Sequence, residues 1–477
     1  IRRFLFWTFT ATFCLTASLV VLYAFGYRFN LERGIFIYTG SISIKSNPEN
    51  VVIRIDGETI PEQNLGILNN SILISGLAPG EHFIEVTASD HLPWSKKAIV
   101  QSGLSTEFWN VLLAKADPAP QELPAPASAL KMFPAPDENL FAIARKADEI
   151  FHVDTLDIGT QEQTQVFTSP QDGENIEWSP DNRKLIIPLE QAGERSYSVV
   201  TVADKTLVTL QKPTPIDRSI ANPRWDSATR NFLFYLQDTT LYRADTEALT
   251  DPPLFVKENV RAYDISGSSI YYLSNDNGII YRISAGRTDS EPIQVTTTTI
   301  DIASDGAYSI VVYDDTRIAI RERTKGTLFI YNKLSLSEII LKPLAERGVK
   351  GVQFSNDGKK LLFFSDNEIS TYFTALWEAQ PIRAADTTLQ VARFSSTIKN
   401  VQWAKSYEHI LFTSNGSAKI VELDNRDRRN ITEIASFPSP IVQALSRFEN
   451  NQIYFILESG VSNFIEFPAP QNNIFGF

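Results

Sequence analysis

The 477-residue sequence contains few side chains that bind metals or form covalent cross-links. It has one cysteine, Cys14, and four histidines, at positions 82, 91, 152 and 409. A single cysteine excludes an intramolecular disulfide and a zinc site built from Cys-x-x-Cys pairs. The four histidines are scattered along the chain and show no metal-ligand spacing. We therefore expect no metal site and no cofactor.

The chain also lacks an excess of basic residues. Lys and Arg number 44 against 56 Asp and Glu, which gives a formal net charge of −12. A nucleic-acid-binding protein needs a basic face to displace counterions from phosphates, so we expect no nucleic-acid partner. Hydrophobic and charged contents of 43% and 21% are typical of a folded protein, and the length predicts two or more domains.

Motifs of common hydrolases are absent as well. The sequence has no Gly-x-Ser-x-Gly elbow and no His-Glu-x-x-His. Asp and Glu are plentiful, so a glycosidase with paired carboxylates stays open as an alternative. Asp181, Asp305 and Asp357 fall in turns between predicted strands, where hydrogen bonds to the backbone account for them. We predict a non-enzymatic protein with no catalytic residues.

Residues 4–26 form one long uncharged stretch, FLFWTFTATFCLTASLVVLYAFG. As a helix it would extend about 34 Å, enough to cross a hydrocarbon core of about 30 Å. A cleaved signal peptide, the alternative, would have a shorter apolar core and a small-x-small cleavage site, which the following YRFNLERG does not supply. We predict a single-pass transmembrane anchor in residues 1–30 that contacts the lipid bilayer through residues 4–26.

The orientation of this segment is not fixed by charge. Arg2 and Arg3 precede it, and Arg28 and Arg33 follow it. No second apolar span follows, so the rest of the chain lies on one side of the membrane. We expect the short arginine-bearing start in the cytoplasm, with the C-terminal domains extracytoplasmic at the cell surface.

Residues 35–114 alternate between apolar and polar positions, as in GSISIKS, NVVIRIDG and SKKAIVQ, and turns rich in Gly, Pro, Asn and Asp separate them. This pattern predicts half-buried strands, with Ile53 and Ile55 pointing inward and Arg54 outward. About 70 residues of this kind predict a small β-sandwich. His82 and His91 are interpreted as side chains that support its turns.

The same region resembles the PEGA domain, a bacterial surface module. The matching residues are Ser46, Pro48, Glu49, Asp56-Gly57, LAPGEH at 77–82 and PWSKK at 93–97. Asn50-Val51 replaces the Gly-Ala of the family, and Asn tolerates the left-handed backbone conformation. The resemblance implies a non-catalytic extracytoplasmic module that serves as a stalk. The proline-rich residues 115–129 that follow predict a semi-rigid linker.

Residues 130–477 contain a weak repeat. Each unit has an apolar or aromatic residue, here called the blade anchor, then a polar turn and a strand that begins seven residues after the anchor. The pairs are Phe133/Leu140, Trp178/Leu185, Trp225/Phe232, Tyr263/Ile270, Phe354/Leu361 and Trp403/Ile410, with Ile302/Ile310 and Leu445/Ile453 one residue longer. Two further strands follow in each unit, and four strands every 40–50 residues or so are typical of a β-propeller blade.

The turns WSPDNRKL and FSNDGKKL resemble those of the TolB-like, WD40-like propeller family. Eight units predict eight blades, with seven as the alternative. The outer strand of the last blade is expected from the C-terminal tail or from the segment before the first unit. We interpret Trp178, Trp225 and Trp403 as core residues that fill the space between blades.

An all-β chain of this kind, with a transmembrane helix, a PEGA-like sandwich and a propeller, points to a surface-anchored binding or scaffolding protein. The expected partner is an envelope protein or a cell-wall polymer. We predict that Asn175, Arg261, Lys350 and Lys399, at the loops that lead into the blades, line one central face. A surface-tethered hydrolase and a structural subunit of an envelope assembly are the alternatives.

Overall fold

The computed structural model describes residues 2–30, 34–61, 71–126, 128–137, 139–173, 175–191, 193–210, 220–226, 231–287, 289–447 and 451–467. Its one long helix, α1 (Arg2–Ala24), covers most of the predicted apolar stretch, and none of its residues is buried. Arg28 ends this helix: its Nη1 donates to the Tyr23 carbonyl at 2.9 Å, and its guanidinium lies 3.4 Å from the centre of the Tyr23 ring. The same carbonyl accepts the backbone N–H of Gly26 at 3.1 Å, so Arg28 adds a second, charged donor at the negative end of the helix dipole.

A two-stranded hairpin follows the helix directly. It consists of β1 (Tyr27–Asn30) and β2 (Ile35–Tyr38), which pair antiparallel. Gly26 connects helix and hairpin with a positive φ of 87°, a conformation that glycine adopts at low cost.

The next seven strands form the predicted β-sandwich. They are β3 (Gly40–Asn47), β4 (Val52–Ile55), β5 (Glu58–Thr59), β6 (Ile72–Leu77), β7 (Gly80–Thr87), β8 (Trp94–Val100) and β9 (Ser105–Leu112). One sheet has the order β6-β3-β9 and the other β5-β4-β7-β8. Ile53 and Ile55 are buried between the sheets while Arg54 is exposed, which confirms the alternation read from the sequence.

Residues 121–466 contain the strands of the propeller. Sheet 8 begins with the short strand β10 (Gln121–Glu122). Sheet 1 has β11 (Ala129–Pro134), β12 (Leu140–Ala147), β13 (Ile150–Asp157) and β14 (Gln163–Ser169). Sheet 2 has β15 (Asp172–Gly173), β16 (Glu177–Trp178), β17 (Lys184–Gln191), β18 (Glu194–Thr201) and β19 (Leu207–Thr209). Sheet 3 has β20 (Ile220–Trp225), β21 (Phe232–Gln237), β22 (Thr240–Asp245) and β23 (Leu254–Lys257).

The remaining sheets repeat this pattern. Sheet 4 has β24 (Val260–Ser266), β25 (Ser269–Ser274), β26 (Ile280–Ser284) and β27 (Ile293–Gln294). Sheet 5 has β28 (Tyr308–Asp314), β29 (Arg317–Glu322), β30 (Thr327–Lys333) and β31 (Ile339–Ala345). Sheet 6 has β32 (Gly351–Phe354), β33 (Lys360–Phe364), β34 (Glu368–Phe373) and β35 (Thr387–Arg393). Sheet 7 has β36 (Ile398–Trp403), β37 (His409–Ser414), β38 (Ser417–Glu422) and β39 (Ile431–Ser436), and sheet 8 ends with β40 (Ile441–Arg447), β41 (Gln452–Leu457) and β42 (Ser462–Glu466).

Hydrophobic clusters join each sheet to the next and close the ring. The cluster around Trp178 contains residues of sheets 1 and 2, and the one around Trp403 contains residues of sheets 6 and 7. A further cluster joins sheet 8 to sheet 1 through Tyr454 and Phe141. In the described residues the ring therefore comprises eight sheets, and the fold is the predicted propeller. The number of blades in the protein stays a prediction.

Strand β10 completes sheet 8 by pairing with β42. The outer strand of this sheet therefore comes from the segment before the first unit, one of the two sources considered above. Leu123, just after β10, is buried in the cluster between sheets 8 and 1. Part of the proline-rich segment 115–129 thus belongs to the ring, whereas a linker between domains would not pair with a strand of the propeller.

The three tryptophan blade anchors are buried and also bridge neighbouring sheets. Trp178 and Trp225 are 5% exposed and Trp403 is 1% exposed, which confirms their prediction as core residues. The indole N–H of Trp178 donates to the carbonyl of Phe133 at 2.9 Å, and that of Trp403 donates to the carbonyl of Gln353 at 3.1 Å. Each ring thus fills the space between two blades and satisfies a backbone acceptor of the preceding one.

One predicted pair, Ile302/Ile310, is wrong in register. Ile310 lies on the first strand of sheet 5, β28, which pairs with β29, and Ile302 precedes this strand. Strand β28 contains Ile-Val-Val and β29 contains Ile-Ala-Ile, so the apolar pattern alone does not distinguish the first from the second strand.

The β-sandwich packs directly on the propeller. Trp109 Nε1 donates to the carbonyl of Gln380 at 2.9 Å, and the Gln380 side chain bonds the backbone of Ser105 and Glu107. The rings of Trp109 and Trp377 lie 5.6 Å apart. These contacts fix the sandwich against the loop between the third and fourth strands of sheet 6.

A buried ion pair lies at the centre of this contact. Lys96 Nζ is 2.6 Å from Glu422 Oε1, and the Lys96 side chain is fully buried. Glu422 also accepts from the indole N–H of Trp94 at 3.0 Å and from the backbone N–H of Asn430 at 2.7 Å. Because each charged atom has several partners, burial of the pair is compensated.

Candidate binding site

A large polar cavity opens on one face of the propeller. Its volume is about 1180 Å³, and it is lined where the first strands of sheets 2 to 5 begin and at the hairpins β17–β18 and β21–β22. Charged lining residues are Asp172, Glu177, Glu190, Arg195, Arg224, Asp238, Arg261 and Arg323. The cavity thus combines four acidic with four basic side chains, although the whole chain is strongly acidic.

The antiparallel course of the strands places this cavity opposite the β-sandwich. The cavity lies where the first strands begin and where the second strands turn into the third. The sandwich instead contacts loops after the third strands, at residues 377–383 and 424–430, which lie at the other ends of the strands. We call these two sides the cavity face and the sandwich face.

The structure brings together two of the four predicted contact residues. Asn175 and Arg261 both line the cavity. Lys350 and Lys399 occupy equivalent positions before or within the first strands of sheets 6 and 7 but are not among the lining residues. Lys350 forms an exposed ion pair with Asp366, at 3.5 Å, and Lys399 is exposed. That all four contact one ligand stays a prediction.

Arg261 holds the loop that leads into sheet 5. Its Nη2 donates to the carbonyl oxygens of Ala303 at 3.2 Å and Ser304 at 2.9 Å, and also to that of Gly306. Its Nε–H is buried and has no partner within the part of the chain that the structure describes. Arg261 therefore shapes one wall of the cavity and retains one unused donor.

Three charged residues from three successive sheets form a cluster in which Glu177 and Arg224 line the cavity and Asp264 contacts Arg224. Arg224 lies between Glu177, at 3.4 Å from Nε to Oε1, and Asp264, at 3.3 Å from Nη1 to Oδ1. Burial raises the pKa of Glu177 and that of Asp264, and the Arg224 guanidinium opposes both shifts. Asp264 also accepts the backbone N–H groups of Ile265 and Val312, each at 2.9 Å.

This cluster was missed in the sequence, although a local signal marks it. Glu177 and Arg224 immediately precede the blade anchors Trp178 and Trp225, and Asp264 follows the blade anchor Tyr263. A charged residue beside a blade anchor lies on a first strand with its side chain on the alternate face from the anchor. The sequence pattern did not show that three such charges from different sheets meet.

The histidines and the turn aspartates Asp181 and Asp357 have structural partners. His82 contacts Asp56 Oδ2 through Nδ1 at 2.6 Å and the Ala78 carbonyl through Nε2 at 2.7 Å, beside the Pro-Gly turn as expected. Asp181 and Asp357 accept hydrogen bonds from Ser179 and Ser355 within their turns. In the described parts of the chain, no group of three or more His, Cys, Asp or Glu side chains is arranged to hold a metal ion.

The ring of sheets and the open polar cavity define the class of the protein: an all-β propeller protein with an N-terminal apolar helix. No family model matches the sequence, and no curated protein matches it.

Solved structures with a similar arrangement include a Dos1 propeller, with a TM-score of 0.48, 13% identity and coverage of 73% of this chain and 94% of that one. Another is a eukaryotic initiation factor, with a TM-score of 0.47, 13% identity and coverage of 75% and 91%. The Cps50 (Swd1) propeller domain of Myceliophteria thermophila has a TM-score of 0.42, 11% identity and coverage of 72% and 97%. Similarity at this level carries no information on the partner or activity of this chain.

Proposed function

We propose that this chain is a membrane-anchored, non-catalytic binding protein whose propeller takes a partner on the cavity face. The observation that carries this proposal is the position of the cavity, on the side of the ring that the β-sandwich leaves free. Loops on a rigid scaffold are the usual place for binding residues. The helix Arg2–Ala24 is long and apolar enough to cross a membrane, which supports the anchor.

The small sandwich supports this arrangement as the connection between anchor and propeller. In the proposal it is the PEGA-like stalk, and the propeller is TolB-like. Because the sandwich packs on one side of the propeller, the opposite side, which is the cavity face, points away from the stalk. Such an orientation suits a cell-surface protein that presents its binding side to other envelope components.

The chemistry of the cavity favours a protein segment as the partner. Arg195 is paired with Glu190 at 3.4 Å, and Arg224 is paired with Glu177, so positive and negative groups alternate along the wall. A polypeptide offers charges of both signs and backbone groups for such a surface, and complementary charges give specificity. A cell-wall polymer is the other partner considered, and the experiment below separates the two.

The test uses the full chain in detergent or nanodiscs, with solubilised envelope proteins and purified wall polymer as separate baits. Charge reversal at two exposed cavity residues, Arg195→Glu and Arg323→Glu, is expected to abolish retention of the partner. Arg393→Glu is the matched control, because Arg393 is an exposed arginine on the outer strand β35. If both cavity variants still retain the partner, the proposed site is wrong. If the chain is retained only on wall polymer, the partner is the polymer and not a protein.

A hydrolase is the second candidate, and the Glu177–Arg224–Asp264 cluster is the observation that favours it. Carboxyl groups with raised pKa values beside a cavity are typical of general acids. If the chain cleaves wall glycans or peptides, Glu177→Gln and Asp264→Asn will abolish turnover without changing retention. Absence of turnover in the unchanged protein leaves the cluster with a structural role between three blades.

A further inference from the structure

The hairpin of β1 and β2 has one wholly aromatic face. Tyr27 pairs with Tyr38 and Phe29 with Phe36 across the two strands, so all four rings lie on the same side. The Tyr27 and Tyr38 rings are stacked with centres 5.0 Å apart, and the Phe29 and Phe36 rings are 5.2 Å apart in an edge-to-face arrangement. Phe29 and Phe36 remain 51% and 42% exposed.

An exposed aromatic face on a two-stranded sheet becomes stable when it packs against a second, apolar surface. The hairpin forms a sheet by itself, and within the described residues no third strand pairs with it. Isolated hairpins are marginally stable in water, and stability comes from packing one face against something apolar. The hairpin is nevertheless joined to structure on both sides, so its exposed face is presented in a fixed direction.

The position of this face is set by the end of the helix. Only two residues separate Ala24, the last residue of α1, from Tyr27. The other end of the hairpin returns to the same place, because Thr39 donates to the Gly26 carbonyl through its backbone N–H at 3.0 Å and its Oγ1 at 2.6 Å. The hairpin therefore begins and ends at the depth at which the apolar helix ends.

We propose that the hairpin is an interfacial element of the membrane, with Phe29 and Phe36 inserted at the boundary between lipid headgroups and acyl chains. This inference rests on the proposed membrane anchor. If α1 spans the hydrocarbon core, the hairpin lies in the polar layer, which is about 5–8 Å thick on each side. Tyrosine is enriched in this layer, which fits Tyr27 and Tyr38.

The hairpin also connects the lipid surface to the sandwich. The Tyr38 ring lies against Gly26 on the helix side, and a Cβ at Gly103 in the sandwich would overlap it. The backbone N–H of Gly103 donates to the Thr39 carbonyl at 2.9 Å. Insertion of the hairpin would therefore hold the sandwich, and the propeller packed on it, at a defined angle to the membrane.

The lone cysteine makes a direct test possible. The full chain is reconstituted at low density in phosphatidylcholine–phosphatidylglycerol vesicles, and an environment-sensitive fluorophore is attached to single cysteines and quenched by nitroxide lipids. Native Cys14 reports the helix. In a Cys14→Ser background, Phe36→Cys places the label on the aromatic face and Ile35→Cys places it on the other face of the hairpin. Leu336→Cys, at a residue of the propeller that is 89% exposed, is the control for a label in water.

We expect quenching and a blue shift at Phe36→Cys that approach those at Cys14, weaker quenching at Ile35→Cys, and none at Leu336→Cys. A Phe36→Cys label that behaves like Leu336→Cys while Cys14 is quenched overturns the inference and leaves the membrane anchor intact. No quenching at Cys14 refutes the anchor and the inference together. A blue shift at Phe36→Cys that disappears on dilution of the protein in lipid identifies a second copy of the chain as the partner and also overturns it.

Discussion

The buried pair Lys96–Glu422 gives a quantitative test of how the sandwich is held on the propeller. Lys96 Nζ contacts Glu422 Oε1 at 2.6 Å and the Asp424 carbonyl at 2.9 Å, with no exposed surface. Loss of one partner of a buried ion pair costs about 3–5 kcal/mol. Lys96→Met lies at the lower end, about 3 kcal/mol, because Glu422 retains its bonds from Trp94 and Asn430.

Glu422→Leu is expected to cost more, about 5 kcal/mol, since the buried Lys96 ammonium keeps only the Asp424 carbonyl at 2.9 Å and its carboxylate at 3.7 Å, and Trp94 and Asn430 lose an acceptor. The double variant is expected to be more stable than Glu422→Leu alone, because apolar replacement of both partners removes the buried ammonium that has lost its nearest carboxylate. The three values form a thermodynamic cycle, and its coupling term measures the interaction across the two domains.

Hydrogen exchange measures how readily the sandwich separates locally from the propeller at this ion pair. The backbone N–H of Asn430 donates to Glu422, and that of Lys97 donates to Asp427 Oδ2 at 3.1 Å. A loss of about 3 kcal/mol accelerates their exchange roughly 100-fold, since 1.4 kcal/mol is tenfold. The control is Lys97→Met, whose exposed ammonium pairs with Glu81 on the surface and should leave exchange unchanged. Equal effects of Lys96→Met and Lys97→Met would refute the reasoning.

Three further predictions concern the ring and the sandwich face. Burial, together with the nearby Lys96 and Lys360 charges, lowers the pKa of His409 to about 3. In the unfolded chain His409 takes up a proton near its ordinary pKa of about 6.5, whereas in the folded protein it stays neutral. The free energy of unfolding therefore falls as the pH drops below about 6.5, by up to about 1.4 kcal/mol per pH unit. Thermal unfolding from pH 7 to 4 should therefore show a smaller decline for His409→Gln, and an unchanged slope would contradict the shift. Trp403→Phe removes the donor to the Gln353 carbonyl and also leaves a void at a side chain that is 1% exposed, so in urea unfolding it should cost more than the about 1 kcal/mol of one hydrogen bond, whereas Trp7→Phe, at a 67% exposed residue, should cost nothing. Leu123→Ala should cost about 2–5 kcal/mol by leaving a cavity between sheets 8 and 1, and a cost no larger than that of the exposed Leu130→Ala would show that the segment around β10 does not stabilise the ring.

Local patterns in the sequence were sufficient for the strands and for the order of the main parts. Ile53 and Ile55 alternate with Arg54, and a strand has period two, so the buried face follows directly. Trp178, Trp225 and Trp403 recur with a polar turn after each, so their burial between blades was predictable. The predicted pairing of Ile302 with Ile310 is wrong because two adjacent apolar strands allow two registers.

Contacts between distant parts of the chain were decided only by the tertiary structure. Lys96 and Glu422 are 326 residues apart in the sequence, and nothing near either residue indicates that they pair. Likewise, Arg224 meets Glu177 and Asp264 only because three successive sheets pack side by side in the ring. Hydrophobic periodicity specifies which face of a strand is buried, whereas the meeting of charges depends on how separate surfaces pack, which no short stretch of sequence encodes.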